Sequence, residues 1–513
     1  MKPGRRTRKL SLLAALVVLL PGVGATAPDA LRYGITIVPP SYGNPYGGNG
    51  TPGTLLWYAI FDALTRLDDS GHVTAALATH WEAVSPTEWR FRLRPNVAFS
   101  NGRPVDANAV AATFAWLRTE AGKRTVIGNE LRNVVAATAV APDVLSLETA
   151  RPDAALPARL AAVLIVEPDS WAALGPAGFA KQPVGTGPFM LEDWGERDKR
   201  TVLRANPRSW RPPRLARLEF RVMPDNAVRL QALVAGEIDL TDAAVDDLPY
   251  VRSRGLESAH APAMQVMSIA MITETAQPSP LKDVRVRQAL NHAVDKQVIA
   301  DALLGGLGRP AGQPASSVTV GHDPTIAPYS YDPALARRLL AEAGYPDGFD
   351  LDIDVVVTNA GGDGAIYQVV QQNLGDIGVR TTLRARTFGD WLRTYLSGTW
   401  SSDAFGLSWN SAPYNDVTRP MEYFSCRKRN PFFCEPALAA RLERVNAEFD
   451  PGRRAELLQE LSREYHEAAP AIFIVESVDV FAMDPRLNGF RIANRVPVYE
   501  DLYWQGDSAG ADP

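Results

Sequence analysis

The residues that decide the fold read FDALTRL at 61–67, ATHWE at 78–82, WRFRLR at 89–94 and FSNGRPVDA at 99–107. Within them Trp89, Phe91 and Leu93 alternate with arginines, which predicts a strand with one buried face. The pattern predicts that a tight turn and then a capped helix follow this strand, within the stretch that ends at Leu117. This stretch contains no catalytic constellation.

Further blocks of the same kind follow along the chain. They read GTGPF at 185–189, NPRSW at 206–210, RLQALVAGEID at 229–239, DVRVRQALNHAVD at 283–295, YDP at 331–333 and AGYPDGF at 343–349. In order and spacing, these blocks and the opening stretch resemble the large extracytoplasmic solute-binding proteins of ABC transporters. The resemblance is to the peptide/nickel-binding family, family 5, which includes dipeptide- and oligopeptide-binding proteins, and it covers most of residues 30–490.

The resemblance implies an α/β fold of two lobes that close on a ligand like a hinged clamp, the cluster C type of periplasmic binding protein. Lobe I would comprise residues 28–263 and 487–507, with an extra subdomain inserted at about 47–185. Lobe II would comprise residues 264–486. The resemblance also implies a monomeric receptor without cofactor or catalytic residues, which captures a small solute and passes it to an ABC permease and its ATPase.

The first 27 residues have the pattern of a signal peptide. A basic head without acids, from Lys2 to Lys9, precedes an apolar run from Leu10 to Leu20 that is too short to span a bilayer. The Arg5-Arg6 pair is a feature of twin-arginine export, but Thr7-Arg8-Lys9 offers no apolar residue where that signal needs one, so Sec export is favoured. The small residues before position 26 favour cleavage after Ala25. No cysteine stands near that position, so we expect a periplasmic protein without a lipid anchor, which ends in a short tail at 508–513.

The length of the chain indicates how many structural units it forms, and its charge disfavours one class of function. A chain of 513 residues suggests two to four structural units. The leader holds five of the 53 basic residues and no acid, so the rest carries 48 basic against 58 acidic residues. A mildly acidic chain with scattered charge is a poor partner for nucleic acid.

The two cysteines, Cys426 and Cys434, enclose the basic segment RKRNPFF. In an oxidising compartment, two thiols this close predict a disulfide that pins a loop. Free thiols and a metal pair are the alternatives, although no histidine lies within 30 residues of either cysteine.

Several helices and strands are predicted from caps and periodicity. Leu218, Phe220 and Val222 alternate with charged residues as a strand does. Asp332 followed by Pro333 marks a helix start, and Gly344 its end. Asp283 is expected to cap a second helix that runs to Gly305.

Competing chemistries have weaker signals. The SPLK segment at 279–282 fits a short serine-acylase pattern, but it falls at the entry to the Asp283 helix and its companion motifs are missing. The alternating aspartates at 350, 352 and 354 are better explained by a half-exposed strand than by a calcium loop, because Val355 replaces the required glycine. A periplasmic hydrolase, or a signalling or chaperone protein on the same scaffold, remains the alternative to a transport receptor.

The resemblance also locates the ligand anchors. Family members that bind dipeptides hold the amino group with an acid after a Gly-Trp pair, and an ungapped alignment places Ala412 and Asn415 where those proteins have acids. The neighbourhood of their carboxylate-binding arginine is VTNAGG at 357–362, without a cation. Losing both anchors disfavours a free dipeptide, although Asp416 and Arg419 lie close enough to replace them.

The predicted cleft joins a Tyr- and Asn-rich loop of lobe I to a segment of lobe II. Its residues are Tyr42, Asn44, Tyr46, Trp409, Asn410, Tyr414, Asn415 and Asp416. Such a wall offers stacking faces and neutral hydrogen-bonding groups, which suits a capped or modified peptide, a glycoconjugate or an opine-like molecule. For Trp409, packing in the core is an equally good interpretation.

Overall fold

The computed structural model describes residues 30–48, 50–51, 53–195, 197–356 and 363–506. The predicted signal peptide, the C-terminal tail and the 357–362 segment lie outside the described residues. In the part of the chain that is described, no helix is long and apolar enough to cross a membrane.

Strands and α-helices are mixed along the whole chain. The strands of the first half are β1 (Ala30–Ile35), β2 (Thr65–Leu67), β3 (Val73–Ala75), β4 (Ala78–Ser85), β5 (Glu88–Leu93), β6 (Val134–Ala141), β7 (Val144–Thr149), β8 (Phe189–Asp193), β9 (Arg200–Ala205), β10 (Arg217–Val222), β11 (Leu240–Ala243) and β12 (Glu257–Met271). Those of the second half are β13 (Arg309–Pro310), β14 (Asp350–Val356), β15 (Arg380–Arg386), β16 (Ala404–Gly406), β17 (Trp409–Asn410), β18 (Ala471–Met483), β19 (Leu487–Asn488), β20 (Ile492–Ala493), β21 (Val496–Pro497) and β22 (Tyr503–Trp504).

The α-helices are also given for the first and the second half of the chain. Those of the first half are α1 (Gly53–Ile60), α2 (Ala107–Leu117), α3 (Val126–Glu130), α4 (Leu156–Arg159), α5 (Pro168–Lys181), α6 (Asn226–Val234) and α7 (Leu248–Ser253). Those of the second half are α8 (Val284–Ala293), α9 (Lys296–Val298), α10 (Pro333–Glu342), α11 (Asp363–Asp376), α12 (Phe388–Ser397), α13 (Thr418–Tyr423), α14 (Pro436–Asn446) and α15 (Pro451–Ala468).

Two long strands connect the lobes. Among the described residues, twelve strands form one sheet with the order β15-β14-β16-β12-β18-β11-β1-β10-β9-β8, while β13 pairs with β18 and β17 with β12. The C-terminal end of β18 pairs with β11, and its middle pairs with β13. The antiparallel pair β12–β18 therefore extends from one set of strands into the other, with a register shift between Pro262 and Val266.

The hydrophobic cores follow the same division. One core cluster draws its residues from 31–220 and 481–504. Two others draw theirs from 266–475 and pack on opposite sides of the second set of strands. Separate cores joined by two strands are the physical basis of the two-lobed α/β fold, because each lobe can move without breaking its own packing.

The strands β4, β5, β7 and β6 form a separate four-stranded sheet in that order, and we call residues 47–185, which contain it, the inserted region. In β5 the side chains of Trp89, Phe91 and Leu93 are buried and those of the intervening arginines are exposed, as the sequence predicts. Asp106 caps α2 by accepting a hydrogen bond from the backbone N–H of Ala109 at 2.8 Å. The strand, turn and capped helix predicted here are confirmed.

Helix α10 is confirmed with its cap, because Asp332 accepts from the backbone N–H of Leu335 at 2.8 Å. The predicted length of the Asp283 helix is wrong. Helix α8 ends at Ala293, since Val294 takes an extended conformation and Asp295 caps a new turn by accepting from the N–H of Val298. A second N-cap within the apolar pattern thus divides one predicted helix into two.

Candidate functional site

A polar cavity of about 640 Å³ lies between the inserted region and lobe II. Its walls come from residues 129–159 on one side and 414–447 on the other, and we call it the interlobe cavity. Its volume is in the range that small-molecule sites occupy.

Arg159, at the end of α4, links the two walls. Its guanidinium lies 3.2 Å from the carboxylate of Asp153 on its own side, and it donates to the Tyr414 hydroxyl at 2.6 Å and to Glu422 at 3.3 Å on the other side. Burial disfavours the charge on Arg159, but Asp153, Tyr414 and Glu422 hold its pKa well above the usual value. A permanent cation therefore joins the lobes.

A second buried pair crosses the same boundary. Arg419 of α13 donates to Glu130 at 2.6 Å and, through its other Nη atom, to the backbone carbonyl of Asn410 at 2.6 Å. Both side chains of this pair line the interlobe cavity. Together with Arg159, the pair shows that the two lobes are in contact around the cavity, as in a closed clamp.

Asp416 is engaged within its own lobe. Its carboxylate lies 2.8 Å from the Arg454 guanidinium and accepts hydrogen bonds from the backbone and hydroxyl of Thr418. Burial opposes ionisation of Asp416, but Arg454 and Thr418 keep its pKa below the usual range. The Asp416 side chain is only 3% exposed and does not line the cavity, so neither Asp416 nor the paired Arg419 offers an unpaired charge for a peptide terminus.

Two of the predicted aromatic residues lie inside hydrophobic cores. The indole of Trp409 is fully buried and stacks on Phe424 with ring centroids 3.7 Å apart. Tyr46 is also fully buried, and its ring stacks on Trp116. For Trp409 the structure thus shows the core packing that the sequence left open.

The other predicted residues are dispersed. Tyr414 lines the interlobe cavity, whereas Asn410 lines a separate recess of about 30 Å³ beside the N-terminal loop. Asn415 is buried and donates to the carbonyls of Gly71 and Val318. Asn44 accepts from the N–H of Tyr46, and Tyr42 packs edge-on against Trp194.

Sequence reasoning missed most of the cavity's charged groups. Arg132, Arg151 and Arg159 lie in an inserted region without any motif that marks them, and Asn446 ends an ordinary amphipathic helix. One signal was available, because the cysteines enclose Arg427 and Lys428, and both residues line the cavity. The predicted Cys426–Cys434 disulfide is present in the structure.

A two-lobed α/β fold, with a polar cavity where its lobes meet, defines a solute-binding protein of the periplasmic binding class. The model of the bacterial extracellular solute-binding proteins, family 5 Middle, matches residues 72–431. The chain belongs to this family, and it is therefore a solute-binding receptor of an ABC importer.

Sequence relatives differ in what they bind. Heme-binding protein A of Haemophilus influenzae is 30% identical over 329 residues, which are 61% of this chain and 58% of that protein. Glutathione-binding protein GsiB of Salmonella paratyphi A is 26% identical over 476 residues, 88% of this chain and 89% of that protein.

Solved structures share the fold. HbpA2 from Haemophilus parasuis superposes with a TM-score of 0.79 at 23% identity, covering 93% of this chain and 99% of that one. DppA from Helicobacter pylori, in complex with the peptide STSA, gives a TM-score of 0.78 at 21% identity and covers 93% of this chain and 98% of its own. At these identities the structures establish the two-lobed fold.

Proposed function

We propose that this receptor captures a peptide-like or other polar organic solute in the interlobe cavity, in the periplasm, and delivers it to an ABC permease and its ATPase. The observation that carries the proposal is the Arg159–Tyr414 hydrogen bond, which joins the lobes at the cavity wall. A solute enclosed there contacts both lobes at once, so it stabilises the closed clamp that a permease recognises.

The lining favours a solute with several polar groups. Besides its charged side chains, the cavity presents the amides of Asn129, Asn133 and Asn446 and the ring of Tyr423. Peptides, with alternating donors and acceptors, match such a surface better than an apolar ligand does. Relatives named for glutathione and for dipeptides support a peptide-like solute.

The absence of dipeptide anchors favours a solute other than a free dipeptide. An ungapped alignment with the family sets Ala412 and Asn415 where dipeptide-binding members have acids, and Asp416 is already paired with Arg454. A zwitterionic dipeptide would leave its amino group without a carboxylate there, at a cost of roughly 1–3 kcal/mol. We therefore favour a longer or modified peptide, or an opine-like solute.

A thermal-shift screen of the purified protein tests the function. Peptides, opines, sugars, heme and metal chelates are added singly, and a solute at 100 times its Kd adds about 2.7 kcal/mol to the stability. We expect a polar organic solute to raise the Tm, and the rise to be lost in Arg159→Met. Failure of every class of solute to bind would contradict the proposal.

A further inference from the structure

The charges of the interlobe cavity are unbalanced. Three arginines come from the inserted region, Arg132, Arg151 and Arg159, and four cations come from lobe II, Arg419, Arg427, Lys428 and Arg444. Among the residues that the structure describes, four carboxylates face them, those of Glu130, Asp153, Glu422 and Glu443. The lining therefore carries three more positive than negative groups.

Every one of the four carboxylates is already engaged. Arg159 pairs with Asp153 and Glu422, and Arg419 pairs with Glu130. Glu443 lies 3.7 Å from Arg151 and 3.6 Å from Arg427. Four of the seven cations are therefore paired with a carboxylate, and the other three cations account for the excess positive charge.

Arg132 and Arg444 are two of the three. Neither guanidinium makes a hydrogen bond or ion pair with any residue that the structure describes, and they stand on opposite walls of the cavity, one in each lobe. The third is Lys428, whose ammonium lies 3.6 Å from the Tyr395 ring centroid and donates to a backbone carbonyl, without a carboxylate partner among the described residues.

Neutral amides accompany these cations. The side chains of Asn129, Asn133 and Asn446 line the same cavity, and amides of this kind can exchange hydrogen bonds with the amide groups of a solute.

We propose that the interlobe cavity selects an anionic, amide-containing solute with at least two acid groups, which bridges Arg132 and Arg444. The inference rests on the proposed function and names the substrate class of its site. An acid group on each side of the cavity would pair the two unpaired guanidiniums across the lobes. The contacts that close the lobes are then the same contacts that select an anionic solute.

Tripeptide pools of matched shape test the selection by calorimetry. The pools are Glu-X-Glu, Gln-X-Gln and Lys-X-Lys, with X randomised. We expect Glu-X-Glu to bind at least about tenfold more tightly than Gln-X-Gln, and Lys-X-Lys to bind least. Raising the ionic strength should weaken Glu-X-Glu alone.

Variants then test which side chains cause the preference for acidic peptides. Arg132→Gln with Arg444→Gln should weaken Glu-X-Glu about fivefold to tenfold and weaken Gln-X-Gln by less, because Gln-X-Gln has only its terminal carboxylate to lose a partner. Arg338→Gln, which removes another exposed arginine outside the cavity, is the matched control and should change neither. Equal affinity for the acidic and neutral pools, or an unaffected double variant, overturns the inference while the receptor function stands. Failure of all solutes in the thermal screen overturns both.

Discussion

The Arg159 guanidinium donates to the Tyr414 hydroxyl at 2.6 Å across the boundary between the lobes, and both side chains are more than nine-tenths buried. The guanidinium also lies 4.9 Å from the centroid of the same ring. Asp153 and Glu422 also pair with this cation, so Arg159 contacts three polar side chains where the lobes meet.

Replacing the cation should open the clamp. In Arg159→Met, two carboxylates lose their partner in the closed form, at a cost of about 3–5 kcal/mol. Opening returns them to water, so we expect a larger radius of gyration in X-ray scattering of the solute-free protein rather than unfolding. Arg151→Met removes an exposed pair in the same region and should change the radius little. An unchanged radius in Arg159→Met would contradict the assigned role.

Asp416 should stabilise lobe II in a pH-dependent way. Its pKa is lowered in the folded protein, so its contribution is complete above the unfolded pKa of about 3.9 and is lost as the pH falls through the folded value. Asp416→Asn should lower the free energy of unfolding by about 3 kcal/mol at pH 7, because the Arg454 side chain, 12% exposed, loses its carboxylate partner. Urea titrations should show the difference from the wild type shrinking below pH 4. Asp350→Asn, in an exposed pair with Arg380, is the control.

Lys428 should make the affinity for anions fall with rising pH. Burial lowers its pKa to about 8, and an anionic solute favours the protonated form. Calorimetry with Glu-X-Glu should therefore give weaker binding at pH 9 than at pH 7. Lys428→Arg stays charged, so its remaining pH dependence measures the titration of the peptide's own amino group. If the affinity of the wild type and of Lys428→Arg changed equally with pH, Lys428 would have no part in binding the anion.

The disulfide should support the cavity wall. Cys426→Ser with Cys434→Ser releases a loop of nine residues and should cost about 2–3 kcal/mol of stability, as measured by chemical denaturation. Arg427 and Lys428 lose their fixed backbone, so affinity for acidic peptides should fall as well. Thiol titration of the denatured wild-type protein should find no free cysteine; two free thiols would disprove the bridge.

A variant at Trp409 distinguishes a role in core packing from a role in stacking on the ligand. Because its ring is buried against Phe424, Trp409→Ala should lower the stability by about 3–5 kcal/mol. Affinity measured well below the reduced Tm should stay within about twofold of the wild type. A tenfold loss of affinity in the folded variant would instead support the stacking role predicted from the sequence.

The fold was predictable because its signals are local. The alternation in β5, the Asp106 and Asp332 caps and the cysteine spacing each depend on residues within ten positions of one another. The length of α8 was misjudged for the same local reason, since the Asp295 cap competes with an apolar pattern that continues through it.

The residues that the sequence predicts for the cleft do not come together in one place. Tyr414 does line the interlobe cavity, but the same segment also supplies Trp409 to the core and Asp416 to an internal ion pair. Neighbours in sequence point in different directions here, because β17 and the turn after it rotate each side chain away from the last. Residue type alone could not assign them to cavity or core.

The sequence by itself determined the family, the two-lobed fold and the disulfide, because short-range patterns specify each element and their order specifies the arrangement. Tertiary structure alone decided which charges meet. Arg159 and Tyr414 are 255 positions apart, and Arg419 and Glu130 are 289 apart. No local pattern records such a pairing, since it arises only when the two lobes close and bury both partners together.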